Sequence, residues 1–156
     1  MVTADESIPS DRRSADIGIV CSFAAEVAPL VAALDRTKKY SDKGFTFRGG
    51  FLDEVIRVAI VEAGEGFAQH RDAASMLLAE HNPPWILSAG LSIGLTPDVD
   101  AGDVCLANHL SDTHGNDRSI ACPIPAKGRI KIGSHVIADA LPTDCLLYTS
   151  PSPRDS

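Results

Sequence analysis

The chain has 156 residues, of which 44% are hydrophobic and 22% charged, and its formal net charge at pH 7 is −7. This composition is typical of a globular protein, and the length suits one domain with one core. The negative charge, with no basic cluster longer than a pair, argues against nucleic acid and anionic membrane surfaces as partners.

The first 15 residues are polar and lack the apolar segment of a secretory signal. We therefore expect a disordered leader over residues 1–15. A cytoplasmic location is expected too, because no window is apolar over the roughly 18 residues that a membrane-spanning helix needs. The four cysteines have no C-x-x-C spacing, so we expect free thiols in a reducing compartment.

Residues 17–21, IGIVC, form a continuous, mostly β-branched run that predicts a strand buried on both faces. A helix is expected over residues 24–35, because apolar residues recur there at helical spacing and Ser22 is a plausible N-cap. Pro29 lies within this segment and lacks the N–H that a helix interior requires. The helix is therefore expected to begin late or to kink at Pro29.

Residues 45–52 and 55–62 read as two strands joined by a turn at Asp53 and Glu54, which predicts a hairpin. Residues 67–81 then show helical spacing, with Phe67, Ala74, Leu77 and Leu78 on one apolar face.

The run at residues 85–90, WILSAG, predicts a buried core strand that ends in small residues. Residues 103–107 predict one more strand, and the polar, proline-containing residues 111–129 predict a loop. The alternation of strands and helices predicts an α/β fold, with a three-layer α/β/α arrangement around a central mixed, largely parallel sheet. All the predicted strands are expected to share that sheet.

The Ser/Pro-rich residues 145–156 have little apolar surface, and they resemble translated adapter sequence more than a core element. We expect this tail to be non-native and to pack against nothing. Residues 16–144 are then the N-terminal portion of an incomplete domain.

Three segments follow the carboxyl ends of predicted strands, where ligands bind in open α/β sheets. They are residues 22–26, 63–66 and 90–94. Gly64 and Gly66 precede a helix and would allow an oxygen-rich ligand close to the backbone. A two-glycine turn before a helix is, however, more often only a tight connection with no ligand.

Glu26 is the carboxylate of the first segment, and an acid in the first turn of a helix is stabilised by the helix dipole without needing a function. A zinc set from Cys105, His109, His114 and Cys122 matches no structural template, so no metal or other cofactor is expected. The other histidines are expected at the surface; they are His70, His81 and His135.

The ordered segments IGIVCSFAAEV, AGEGF, PPWILSAGLSIGL and AGDVCLA resemble the N-terminal half of the nucleoside phosphorylase and nucleosidase superfamily. The similarity is greatest to 5′-methylthioadenosine/S-adenosylhomocysteine nucleosidases and covers about residues 17–107. It implies that Glu26 activates the attacking water. It also implies contacts with a purine nucleoside from Ser22, Phe23, Gly64, Glu65, Gly66, Gly90, Leu91, Ser92 and Ile93.

The chain departs from the family pattern at several of these positions. Leu91 replaces a serine, and Ile93 replaces a glycine and narrows the purine slot. Glu26 stands alone where the nucleosidases carry several acids in a row. Ser88 stands where phosphorylases carry an arginine for phosphate, which favours water as the nucleophile.

The resemblance implies that the acid protonating the leaving purine comes from a C-terminal half, as does the ribose-binding Met and Glu pair. This chain is therefore expected to be inactive, and its longer parent to be a homo-oligomeric nucleosidase. A phosphate-dependent nucleoside phosphorylase and a non-enzymatic nucleoside-binding α/β protein remain alternatives. A dinucleotide-binding protein is disfavoured, because Gly64-x-Gly66 lacks the third glycine.

Overall fold

The computed structural model describes residues 14–122 and 124–138. The chain divides into two compact units at the junction of Leu91 and Ser92. Most of the predicted leader, residues 1–15, and all of the predicted tail, residues 145–156, lie outside the described residues. The domain boundaries therefore stay predictions.

The first unit is built on a mixed sheet with the strand order β2-β3-β4-β1-β5. Its strands are β1 (Ile17–Cys21), β2 (Asp35–Asp42), β3 (Phe45–Leu52), β4 (Ile56–Glu62) and β5 (Trp85–Ser88). β1 runs parallel to β4 and β5 on either side of it. β2, β3 and β4 pair antiparallel. The sheet is therefore mixed and partly parallel, and the predicted α/β fold is confirmed.

The core lies on both faces of this sheet because side chains alternate along β1 and β4. On one face the buried residues are Ile19, Cys21, Val27, Leu34, Val58 and Ile60. On the other face helix α2 (Phe67–His81) packs against the sheet through Ala73 and Leu77. Phe67 and Leu78, predicted on the buried face of this helix, are exposed instead. Helical segments thus cover both faces, as three layers require.

The segment after β1 differs from the helix predicted over residues 24–35. A 3₁₀ helix, Ala24–Val27, leads into the short α1 (Ala28–Ala32), and β2 begins at Asp35. Pro29 lies in the first turn of α1, where its missing N–H needs no partner, so the predicted late start is confirmed. The predicted end is wrong because β2, an almost wholly exposed and charged strand, has no apolar periodicity to mark it.

The hairpin predicted at Asp53 and Glu54 is confirmed. β3 and β4 pair antiparallel, and both turn residues have left-handed backbones, with φ of 51° and 60°. Two consecutive left-handed residues make the turn type whose twist matches that of the flanking strands.

The second unit contains another sheet, with the strand order β7-β6-β8. Its strands are β6 (Val104–Asp112), β7 (Asp117–Ser119) and β8 (Ile130–Ile137). The prediction that residues 103–107 join the first sheet is wrong, because β6 pairs with β7 and β8. The predicted loop over residues 111–129 also contains the end of β6 and the whole of β7, which are polar strands without an apolar alternation.

The strand at residues 85–90 is present but is shorter than predicted and not buried. β5 ends at Ser88, and each of its residues is exposed, with Trp85 at 62%. It forms an edge of the sheet as far as the described chain goes, and its apolar side chains are therefore left exposed there. None of the helices in residues 14–122 and 124–138 has the length and hydropathy to span a membrane.

Candidate functional site

The carboxyl ends of β4, β1 and β5 lie at one edge of the sheet, since the three strands are parallel. Backbone hydrogen bonds continue the strand pairing past the ends of these strands. Ala63 and Gly64 donate their N–H groups to the carbonyls of Cys21 and Ser22, at 2.8 and 3.0 Å. Ala89 donates to the carbonyl of Val20 at 2.9 Å. Residues 22–26, 63–66 and 89–91 therefore meet. Of the third predicted segment, residues 90–94, this edge includes Gly90 and Leu91.

Glu26 lies at this meeting point, in the 3₁₀ helix after β1. Its Oε2 accepts the backbone N–H groups of Ser22 at 2.7 Å and Phe23 at 3.1 Å. Its Oε1 accepts the N–H of Leu91, beyond the end of β5, at 3.4 Å. An ionised carboxylate only accepts hydrogen bonds, so these donors suit it. They fix the carboxylate between two strand ends.

Gly90, just beyond the end of β5, lies against the carboxylate of Glu26. A Cβ atom built on Gly90 would lie 3.3 Å from Oε1 of Glu26. Any larger residue would therefore press on the carboxylate that the Leu91 N–H holds. The missing side chain of Gly90 makes room for Glu26, whether or not a purine also lies there.

Gly64 and Gly66 both have left-handed backbones, with φ of 77° and 104°, and Gly66 is the N-cap of α2. Glu65 between them is exposed. Glycine is the residue that adopts this conformation freely, so the turn requires both glycines. The turn brings the first turn of α2 next to the end of β1.

Ser22 contacts this first turn rather than capping the helix after β1. Phe23, which is half exposed, holds the N-cap position of the 3₁₀ helix. The hydroxyl Oγ of Ser22 lies 3.3 Å from Nε2 of His70 in α2. The prediction that Ser22 is an N-cap is therefore wrong, whereas His70, predicted at the surface, is partly exposed. Nothing local marks the pair, because 48 positions separate the two residues.

The remaining predicted site residues are Leu91, Ser92 and Ile93. Leu91 contributes its N–H to Glu26, while its side chain is 88% exposed. Ser92 and Ile93 begin the second unit and are also exposed. Their contact with a nucleoside stays a prediction.

Charged groups near the site affect the pKa of the buried thiol of Cys21. Burial, followed by the negative charges of Glu26 and Glu62, raises the pKa of this thiol to about 11, and Arg48 opposes the shift. Arg48 forms a partly buried ion pair with Glu62 at the end of β4. The thiol is therefore neutral at physiological pH and acts as a small apolar side chain.

The second hairpin arginine, Arg57, lies at the opposite edge of the sheet. Its backbone N–H donates to Oδ2 of Asp16 at 2.7 Å, and its Nη1 donates to the carbonyl of Ser14 at 2.8 Å. Both partners precede β1, whereas the site follows it. Arg57 therefore lies away from the ends of β1, β4 and β5.

No group of at least three His, Cys, Asp or Glu side chains suited to a metal ion occurs within residues 14–122 and 124–138. Of the four residues weighed for zinc, His109 forms an ion-pair contact with Asp117, and its Nδ1 lies 3.4 Å from Oγ of Ser119.

Comparison with known proteins gives a family match over most of the chain. The model of the phosphorylase superfamily matches residues 16–147. A 5′-methylthioadenosine/S-adenosylhomocysteine nucleosidase of Chromohalobacter salexigens is 29% identical over 94 residues, which are 60% of this chain and 40% of the relative. The nucleosidase of Shewanella loihica is 26% identical over the same shares. The aligned stretch thus spans about 40% of the length of these relatives.

Solved structures show the same fold. The Streptococcus pneumoniae MTA/SAH nucleosidase in complex with 8-aminoadenine is 25% identical, with a TM-score of 0.56 over 61% of this chain and 42% of that one. A structure of the S. pneumoniae nucleosidase with a transition-state inhibitor has a TM-score of 0.65 at 19% identity, over 80% and 64% of the two chains.

Proposed function

The chain belongs to the phosphorylase superfamily, and on that basis we propose that it forms part of a site for hydrolysing the N-glycosidic bond of a purine nucleoside. The relatives named above are 5′-methylthioadenosine/S-adenosylhomocysteine nucleosidases. The proposed substrate is accordingly an adenosine with a sulfur substituent at the 5′ carbon.

The position of Glu26 carries this proposal. Its carboxylate is held between the ends of β1 and β5 by N–H donors from both. Parallel α/β sheets bind ligands at this edge, and a base must be held within hydrogen-bond reach of the water that it activates. Glu26 is the carboxylate that contacts both of these strand ends directly.

The proposed reaction resembles glycoside hydrolysis through an oxocarbenium-like sugar. The C1′–N bond breaks and its electron pair goes to the purine. Water attacks C1′ and passes a proton to Glu26, while the purine takes up a proton from an acid. General acid help of this kind contributes about 10²–10⁴-fold to a rate.

That acid belongs, by the family resemblance, to sequence that the relatives carry beyond the matched stretch. We therefore propose that the 156-residue chain alone releases no purine and that a longer protein containing it does. We further propose that the longer protein is a homo-oligomer, as the resemblance of this chain to the family implies.

Water is proposed as the nucleophile rather than phosphate. Of the two arginines in the hairpin, Arg48 is committed to Glu62. Arg57 lies at the opposite edge of the sheet from the proposed site. The position at which phosphorylases carry a phosphate-binding arginine is occupied here by Ser88.

The test measures adenine release from 5′-methylthioadenosine by the longer protein rebuilt from the source gene, with and without phosphate. We expect release without phosphate, and a loss of about 10²-fold or more in Glu26→Gln with binding largely retained. Glu54→Gln, the same substitution at the exposed hairpin turn, serves as the control and is expected to keep full activity.

A phosphate requirement would instead identify a phosphorylase. Tight nucleoside binding without release from any purine nucleoside would favour the non-enzymatic binding protein. Equal rates for Glu26→Gln and Glu54→Gln would leave Glu26 as a structural clamp between β1 and β5.

A further inference from the structure

The Ser22 and His70 pair joins the end of β1 to the first turn of α2, and the proposed role of Glu26 does not use it. The hydroxyl of Ser22 lies 3.3 Å from Nε2 of His70. Both side chains are partly buried at the edge where the strand ends meet. The pair therefore belongs to the candidate site without belonging to the proposed water activation.

The ring of His70 is fixed from its other side by Gly66. The carbonyl oxygen of Gly66 accepts the backbone N–H of His70 at 3.1 Å and lies 3.0 Å from its ring nitrogen Nδ1. A carbonyl oxygen only accepts hydrogen bonds, so this contact assigns the ring proton to Nδ1. In the neutral ring Nε2 then has a lone pair, and the Ser22 hydroxyl donates to it.

The backbone of Ser22 is held as firmly as the ring. Its N–H donates to Oε2 of Glu26, and its carbonyl accepts the N–H of Gly64. The remaining freedom of the residue lies in the hydroxyl. His70 removes this freedom by accepting the hydrogen bond of the hydroxyl, so the oxygen offers its lone pairs to any ligand at this edge.

We infer that His70 is a positioning residue that makes the Ser22 hydroxyl a hydrogen-bond acceptor and so selects a ligand group that donates. This inference rests on the proposed function, because the donor that we infer is a hydroxyl of the ribose in the proposed nucleoside. A ligand presenting only acceptors at this point would face the lone pairs of Ser22 and would bind more weakly.

The first test determines which ring nitrogen of His70 carries the proton, and it needs no ligand. Imidazole ¹⁵N spectra of the 156-residue chain, recorded where His70 is neutral, should show its proton on Nδ1. Ser22→Ala removes the hydroxyl that donates to Nε2. It should therefore shift the ¹⁵N resonance of Nε2 toward the value of a neutral imidazole nitrogen that accepts no hydrogen bond. Ser75→Ala removes a hydroxyl that donates to the carbonyl of Arg71 elsewhere on α2, and it should leave the His70 signals unchanged.

The second test measures the affinity of the same chain for 5′-methylthioadenosine. We expect Ser22→Ala and His70→Phe each to weaken binding about fivefold, the value of one neutral hydrogen bond. The double variant should be no weaker than either single one, because the two residues make one interaction. His70→Gln places an acceptor oxygen near the position of Nε2 and should stay within about twofold of the unsubstituted chain.

The ligand group is identified with the 2′-deoxy and 3′-deoxy analogues of the same nucleoside. One of the two analogues lacks the hydroxyl that donates to Ser22. That analogue should bind the Ser22→Ala variant and the unsubstituted chain with equal affinity. Ser75→Ala should match the unsubstituted chain for each ligand.

A proton on Nε2, or unchanged affinity in His70→Phe, would overturn the inference while leaving the proposed hydrolysis intact. An equal loss in His70→Gln and His70→Phe would reduce His70 to a packing residue. If the unsubstituted chain bound no nucleoside, the selection of a donor would be refuted for this chain. Purine release by the longer protein would still decide the proposed function separately.

Discussion

At the scale of single residues, the carboxyl edge of the sheet is organised by hydrogen bonds to Glu26 and by the space that Gly90 leaves beside it. The same carboxylate, together with Glu62, acts on the thiol of Cys21 beneath the site. Burial and two negative charges leave this cysteine neutral although it lies next to a candidate active site. Its chemistry is therefore that of a core residue.

The reactivity of Cys21 follows from its pKa of about 11. At pH 8 only about one molecule in 10³ carries the thiolate, which is the form that alkylating reagents attack. We expect iodoacetamide to modify the partly exposed Cys105 and Cys122 in the folded chain, and Cys21 only after unfolding in urea. Peptide mass spectrometry measures the three rates. Rapid modification of Cys21 in the folded chain would show that its surroundings are open.

At the scale of elements, β1 is the strand around which the first unit is built. It pairs with β4 and β5, and α2 packs across it. The polar edge strand β2 is attached differently. Tyr40 stacks on Phe47 with ring centres 5.0 Å apart and donates its hydroxyl to Oε2 of Glu80 in α2 at 3.0 Å. Besides its backbone pairing with β3, this strand without an apolar pattern is thus attached to the core and to α2 through one aromatic residue.

The close approach of α2 to β1 depends on Gly18. A Cβ atom at this position would lie 2.7 Å from Cγ of Pro83 and 2.9 Å from Cδ2 of Leu77. Overpacking of this kind costs about 1–3 kcal/mol, so Gly18→Ala should lower the urea midpoint of unfolding. Gly133→Ala, in a strand glycine with no atom within 4 Å of the added Cβ, should leave it nearly unchanged. Equal urea midpoints for the two variants would show that α2 moves to accommodate the added methyl group with little loss of stability.

At the scale of the whole molecule, burial is concentrated in β1 and β4. Most of their residues are buried, whereas residues 91–98, around the junction of the two units, are exposed. Helix and strand are also absent from residues 89–103 of the described chain. Local stability follows buried contacts and backbone pairing, so these regions should differ widely in how often they open.

Hydrogen exchange followed by mass spectrometry measures this difference. We expect the slowest exchange in peptides covering β1 and β4, and exchange within seconds in residues 91–98. Protection of residues 91–98 comparable to that of β1 would contradict the described fold. If that protection rose with protein concentration, a second copy covering the segment would explain it.

Several features of this protein could be predicted from the sequence alone. The β-branched runs of β1 and β4 and the spacing of α2 identify these elements, because burial and helical period leave a local pattern. The edge at which the candidate site lies also follows from the sequence. Glycines and small residues occur there directly after strands.

Other features were decided only by the tertiary structure. The strand β2 carries no apolar signal, and the sequence predicts residues 103–107 in the first sheet although β6 belongs to the second. Glu26 meets the N–H of Leu91 across 65 positions, and Ser22 meets His70 across 48. Such contacts depend on strand order and register, which place distant segments together, whereas a local pattern reports only the burial and propensity of its own residues.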